Sequence, residues 1–91
     1  MANESLKKSL VDSISRLKKE IIDCQSALQK EIDALYKVAQ EFNRPNTSEA
    51  RKKVLIGKDA SMKKRRIDIE KRLKDKIIKH DKEAERYNKL L

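Results

Sequence analysis

From Leu10 onward the apolar residues of this chain advance in steps of four and three. They run Leu10, Ile14, Leu17, Ile21, Cys24 and Leu28, then a polar Glu31, then Leu35, Val38 and Phe42. Such a spacing keeps a single stripe aligned with a partner only if the segment is helical and winds around another helix. Ile14, Ile21, Leu28, Leu35 and Phe42 make one column of the stripe; Leu10, Leu17, Cys24, Glu31 and Val38 make the other. Leu6 and Ile32 lie beside the seam and broaden it. One long helix, from about residue 4 to residue 43, accounts for the whole pattern.

The stripe stops at NRPNTSE, residues 43–49. Pro45 has no amide proton and disfavours helix at Arg44 before it. Asn46 and Ser48 are both suited to cap a following helix, and Glu49 suits its first turn. With a loop at about 44–47, a second helix occupies about 48–90. Two helices of similar length joined by a short loop fold back antiparallel. The expectation is therefore all-α: an antiparallel coiled-coil hairpin forming a single domain over residues 1–91.

The second stripe reads less regularly: Leu55, Met62, Ile69, Leu73, Ile77, His80, Ala84, Tyr87 and Leu91. Passing through Ile69, Leu73 and Ile77 inserts an extra turn, which relaxes a left-handed supercoil locally. Gly57 is the weak point, costing ~1 kcal/mol relative to Ala in a helix interior. The favoured reading is a helix that is continuous or slightly kinked there; the alternative is a break, with Asp59 or Ser61 capping a new segment.

Each helix carries a lesser apolar ridge as well. Ile56, Ala60, Ile67 and Ile78 fall roughly 120° from the main stripe on a wheel of 100° per residue, and Val11, Ile22 and Tyr36 form the counterpart on the first helix. A hairpin buries one seam per helix and leaves these ridges wet. Apolar residues make up 37% of the chain, with one Phe, two Tyr and no Trp, so little core is available to spare. Val11, Ile22, Tyr36, Ile56, Ile67 and Ile78 are therefore expected to meet a partner. That partner is a second copy, giving a dimeric four-helix bundle, or another helical protein.

Charge raises the competing reading. The formal net charge is +9, from 24 Lys and Arg against 15 Asp and Glu. Residues 1–45 hold eight basic and seven acidic residues, whereas residues 46–91 hold sixteen and eight. Much of this is an ordinary solvated helix face. Acids stand four residues before bases at Asp68 and Arg72, Glu70 and Lys74, Asp75 and Lys79, and Glu85 and Lys89. The excess is not explained that way, and it attracts phosphates. Lys64, Arg65, Lys71, Arg72, Lys76 and Lys79 are the candidate phosphate contacts. KKRR at 63–66 is the densest cluster, but on a helix its side chains point four ways and Arg66 falls on the apolar side. No zinc-finger spacing, aromatic platform or helix-turn-helix signature accompanies the charge, so binding to DNA or RNA would ignore base sequence. A membrane-surface role fits less well, because large aromatics are missing from the apolar face.

Catalysis has no foothold in this pattern. Paired carboxylates, a Gly-rich phosphate loop, metal-ligand spacing and a nucleophile with its base are all absent from the sequence. His80 reads as a seam residue and Cys24 as a reduced, apolar filler. Glu31 in a seam asks for a base; a turn near residue 45 places it opposite residues 59–61, with Lys58 and Lys63 a turn away. No cofactor is expected. One cysteine and the lack of an apolar leader in MANESLKKSLVDS suggest an intracellular, cytoplasmic protein. The leading expectation is a non-enzymatic, self-associating coiled-coil interaction module: an adaptor, a small chaperone-like binder or an accessory subunit. The runner-up is a basic helical protein that binds nucleic acid through its second helix. An extended helix docked within a larger complex is a further possibility.

Overall fold

The computed structural model describes residues 2–91 and consists of two helices, α1 (Ala2–Phe42) and α2 (Glu49–Lys89), packed against each other. The result is a rod with principal extents of 69 × 14 × 14 Å and a radius of gyration of 20.3 Å. A compact chain of this length would have a radius near ~12 Å. The all-α hairpin expected from the heptads is therefore the fold.

The turn comprises residues 43–48, slightly wider than expected. It is held by local hydrogen bonds, with the amides of Arg44 and Thr47 donating to the carbonyls of Glu41 and Arg44 at 3.2 Å each. The Thr47 hydroxyl also donates to the Glu41 carbonyl, occupying an acceptor that the end of α1 leaves free. Ser48, rather than Asn46, is the N-cap of α2; its hydroxyl accepts from the Arg51 amide at 3.1 Å. Across the turn Arg51 grips Glu41 with two hydrogen bonds, one of 2.9 Å. The Lys52 ammonium sits 5.7 Å from the centre of the Phe42 ring.

On α1 the expected seam is protected from Leu10 through Ile14, Leu17, Ile21, Cys24, Leu28, Glu31 and Leu35 to Val38, together with Ser13, Glu20, Ala34 and Glu41 beside it. Phe42, the last residue of the expected seam, is instead exposed where the helices part at the turn. On α2 the pattern differs. The protected seam positions are Lys52, Leu55, Asp59, Met62, Arg66, Ile69, Leu73, Lys76, His80, Glu83 and Tyr87, an unbroken alternation of three and four, with Ala84 of the expected stripe half-buried beside them. The extra turn through Ile77 does not occur. Ile77 and Leu91 are exposed, and Lys76 occupies the seam instead. The reason is geometric. α1 imposes a 3.5-residue repeat, and α2 keeps step with it even where that brings polar residues inward.

Along the middle of the rod the side-chain partners lie further along α2 than expected, whereas beside the turn Arg51 meets Glu41 in the expected register. Glu31 meets Arg65 at 3.9 Å, not residues 59–61 or their neighbours Lys58 and Lys63. Side chains lean toward the N-terminus of their own helix. In an antiparallel pair those leans oppose, which moves partners of α1 residues further along α2 than a count from the turn suggests.

α2 passes through Gly57 without a break. A Cβ built there meets no atom within 4 Å, and its φ is not positive. Gly57→Ala should therefore raise the unfolding free energy by about 0.5–1 kcal/mol, read as a shifted urea midpoint at unchanged slope. A second expectation concerns Glu41. The hydrogen bond from Arg51, reinforced by the charges of Arg51, Lys58 and Arg44, holds its carboxyl below the usual carboxylate value. A depressed carboxylate stabilises above its unfolded pKa, and the gain disappears as pH falls through the folded one. Glu41→Gln should lower the thermal midpoint at pH 7, and the gap from wild type should close as the pH drops below the ordinary value of 4.5.

Candidate functional site

Because the helices are antiparallel and supercoiled, each seam is bordered by two distinct flanks, and like borders like across the pair. Residues directly following one seam column form the first flank. Val11 of α1 and Ala84 of α2 line one shallow groove there, beside Ile14 and His80. At the other end of the rod Ala39 and Ile56 line a second groove on the same flank, beside Val38 and Leu55. Residues directly preceding the other column form the opposite flank. There Glu41 holds Arg51, and Arg65 approaches Glu31.

This division gathers the apolar ridges of both helices onto the first flank. Val11 and Ile32 of α1 and Ile56 and Ile77 of α2 lie on the flank itself, and Ile22, Tyr36 and Ile67, which follow the other column, lie at its outer edge. Ordered by height, they alternate between the helices from Val11 to Ile32, after which Tyr36 of α1 precedes Ile56. Tyr36, Ile22 and Ile56 are 66%, 63% and 58% exposed, so these are open side chains rather than the rim of a core. The charges interspersed among them have both signs, with Lys18, Lys63 and Lys74 set against Glu70 and Asp81.

Ile78 is displaced from this row. An eleven-residue step from Ile56 to Ile67 to Ile78 is nearly in phase on a straight helix. In a 3.5-residue supercoil each such step drifts by roughly 50°. The row thus leaves the flank, and Ile78 sits on the back of α2. Ile77, which apolarity alone places in the seam, takes its position beside Ile67.

The six candidate phosphate contacts divide three ways. Arg65, Arg72 and Lys79 lie on the second flank, while Lys64 and Lys71 lie on the back of α2. Lys76 is drawn into the seam and donates to Glu20 at 3.1 Å. The second flank has a regularity that the KKRR cluster obscures: Arg51, Lys58, Arg65, Arg72, Lys79 and Arg86 recur every seven residues. The signal is in the sequence, but only the supercoil frame makes it visible.

Glu31 Oε2, Arg66 Nε, His80 Nε2 and Glu83 Oε2 are buried without a hydrogen-bond partner. His80 Nδ1 lies 3.2 Å from Asp81 Oδ1. Cys24 is a free thiol, half-buried in the seam. Among the described residues no group of three or more His, Cys, Asp and Glu is placed to hold a metal ion, and no helix is long and apolar enough to cross a membrane. Comparison with protein-family models, with curated proteins and with solved structures finds no match for the chain.

The seam position of Lys76 distinguishes it from the lysines around it. Lys76→Gln should lower stability by up to about 1 kcal/mol, whereas Lys71→Gln on the back of the helix should leave it within error. Equal effects in chemical denaturation would contradict the register described above.

Proposed function

We propose that this protein is a non-enzymatic helical interaction module that self-associates through its apolar flank into a four-helix bundle. The observation that carries the reading is the convergence of Val11, Ile22, Ile32, Tyr36, Ile56, Ile67 and Ile77 on one side of the rod. Isolated exposed apolar residues are ordinary. A row contributed by both helices, running most of the length of a 69 Å rod, is the pattern of a second contact surface.

Two further features favour a second copy as the occupant. The hairpin protects itself poorly, since among the described residues only Leu10, Leu17 and Leu55 are buried. Small helical units of this kind commonly gain stability by oligomerising. The charge distribution also permits close approach, because the apolar flank carries mixed signs and most of the excess positive charge is held on the other side. Two copies packed flank to flank would turn their basic sides outward, in the manner of a bundle built from two hairpins.

Wild-type protein should therefore sediment with twice the chain mass. Ile22→Glu with Ile67→Glu should return it to the monomer mass, with a fall in midpoint but retained helical circular dichroism. Ile78→Glu, on the back of α2, should leave the dimer intact. A monomeric wild type, or a dimer indifferent to the first pair, would defeat the proposal.

A further inference from the structure

The basic flank is left unengaged by this mode of self-association. Its six cations, Arg51 to Arg86 in steps of seven, stand about 10.5 Å apart at 1.5 Å per residue, making a row about 50 Å long. Arg51 is committed to Glu41, and Arg65 is partly neutralised by Glu31. Among the described residues Lys58, Arg72, Lys79 and Arg86 make no ion pair. From α1, Arg16, Lys30 and Lys37 add charge to the same flank, with Asp23 between them; on α2, Asp68 and Asp75 stand at its outer edge and reduce it.

From this row we infer that the flank binds the phosphodiester backbone of a nucleic acid, DNA or RNA, without reading its bases. A straight, evenly spaced file of one charge sign suits a repeating polyanion. Membrane binding requires apolar residues bordered by basic ones on the same face. Here the large apolar residues gather on the opposite flank, and Leu6 and Val54 are the exposed ones on this side. Aromatic platforms are lacking on this flank, since Tyr36 lies on the apolar side, Tyr87 is half-buried in the seam and Phe42 stands at the turn under Lys52. Contacts are thus confined to phosphate, and the affinity should be strongly dependent on salt. The inference does not depend on self-association, because the row exists within one hairpin.

The test is fluorescence anisotropy of the full chain with a labelled 30-base-pair DNA duplex and a single-stranded RNA, between 50 and 200 mM salt. Four unpaired cations predict a slope of log K against log salt near about −3.6 for duplex DNA. Arg72→Gln with Lys79→Gln should make that slope shallower by about 2 and weaken binding at least tenfold. Lys64→Gln with Lys71→Gln removes the same charge from the back of α2 and should cost markedly less. Circular dichroism establishes that both pairs remain helical, as exposed positions should. Equal losses from the two pairs, or a wild-type slope shallower than about −2, would overturn the inference. So would tighter binding to vesicles containing phosphatidylserine than to either nucleic acid. A preference between the DNA and RNA arms would identify the natural source of the backbone.

Discussion

The 3.5-residue repeat shared by α1 and α2 is the constraint from which the other features follow. Once Leu10, Leu17 and Leu55 are sequestered between the helices, every remaining side chain is assigned to the seam, one of two flanks or the back. An antiparallel partner then joins like flank to like. Apolar residues that look scattered along the chain become one row, and basic residues that look like a run become an evenly spaced file. Neither surface exists on either helix alone in its complete form.

That constraint has an energetic cost that falls on α2. Holding the common register places Lys52, Asp59, Arg66, Lys76, His80 and Glu83 where an ideal seam would carry aliphatic residues. Lys76 is compensated by Glu20, and Arg66 only loosely, its Nε lying 3.5 Å from Glu70 without a hydrogen bond. Others leave buried polar atoms unpaired, which weakens a hydrophobic seam and restricts the alternatives to it. Shifting α2 by one turn would break the pairs at Glu20, Glu31 and Glu41 together. The polar seam therefore discriminates between registers while adding little stability.

Much of the fold was legible because α1 states its periodicity plainly and Pro45 and Ser48 mark the turn. The apolar columns of α1 are interrupted only at Glu31, so its seam is recovered from Leu10 to Val38, and only Phe42 at the turn falls outside it. α2 misleads because its seam is chosen by the neighbouring helix and not by its own apolarity. Ile77 is the more apolar candidate, yet Lys76 is the one in phase. The same fact displaces Ile78, since a wheel of 100° per residue and a supercoil separate over three turns. Charge was harder still to read. KKRR attracts notice through local density, whereas the structurally coherent file from Arg51 to Arg86 is diluted by six intervening residues at every step.

Separating the two surfaces has a consequence for how they would work together. In a dimer joined through the apolar flanks, the basic files lie on opposite outer sides, so each hairpin presents its file without obstructing the other. Two such files on one particle can engage one long polyanion only if it wraps or bends around the bundle. Otherwise they hold two separate strands or duplexes. A flexible single strand allows the first arrangement; a duplex with a persistence length near 150 base pairs resists it over so short a distance. Self-association and phosphate binding would thus combine into bridging for duplexes and into tighter capture for single strands, because a second contact on the same strand gains from effective concentration. The geometry of one seam, repeated in α1 and enforced on α2, is sufficient to set up that distinction.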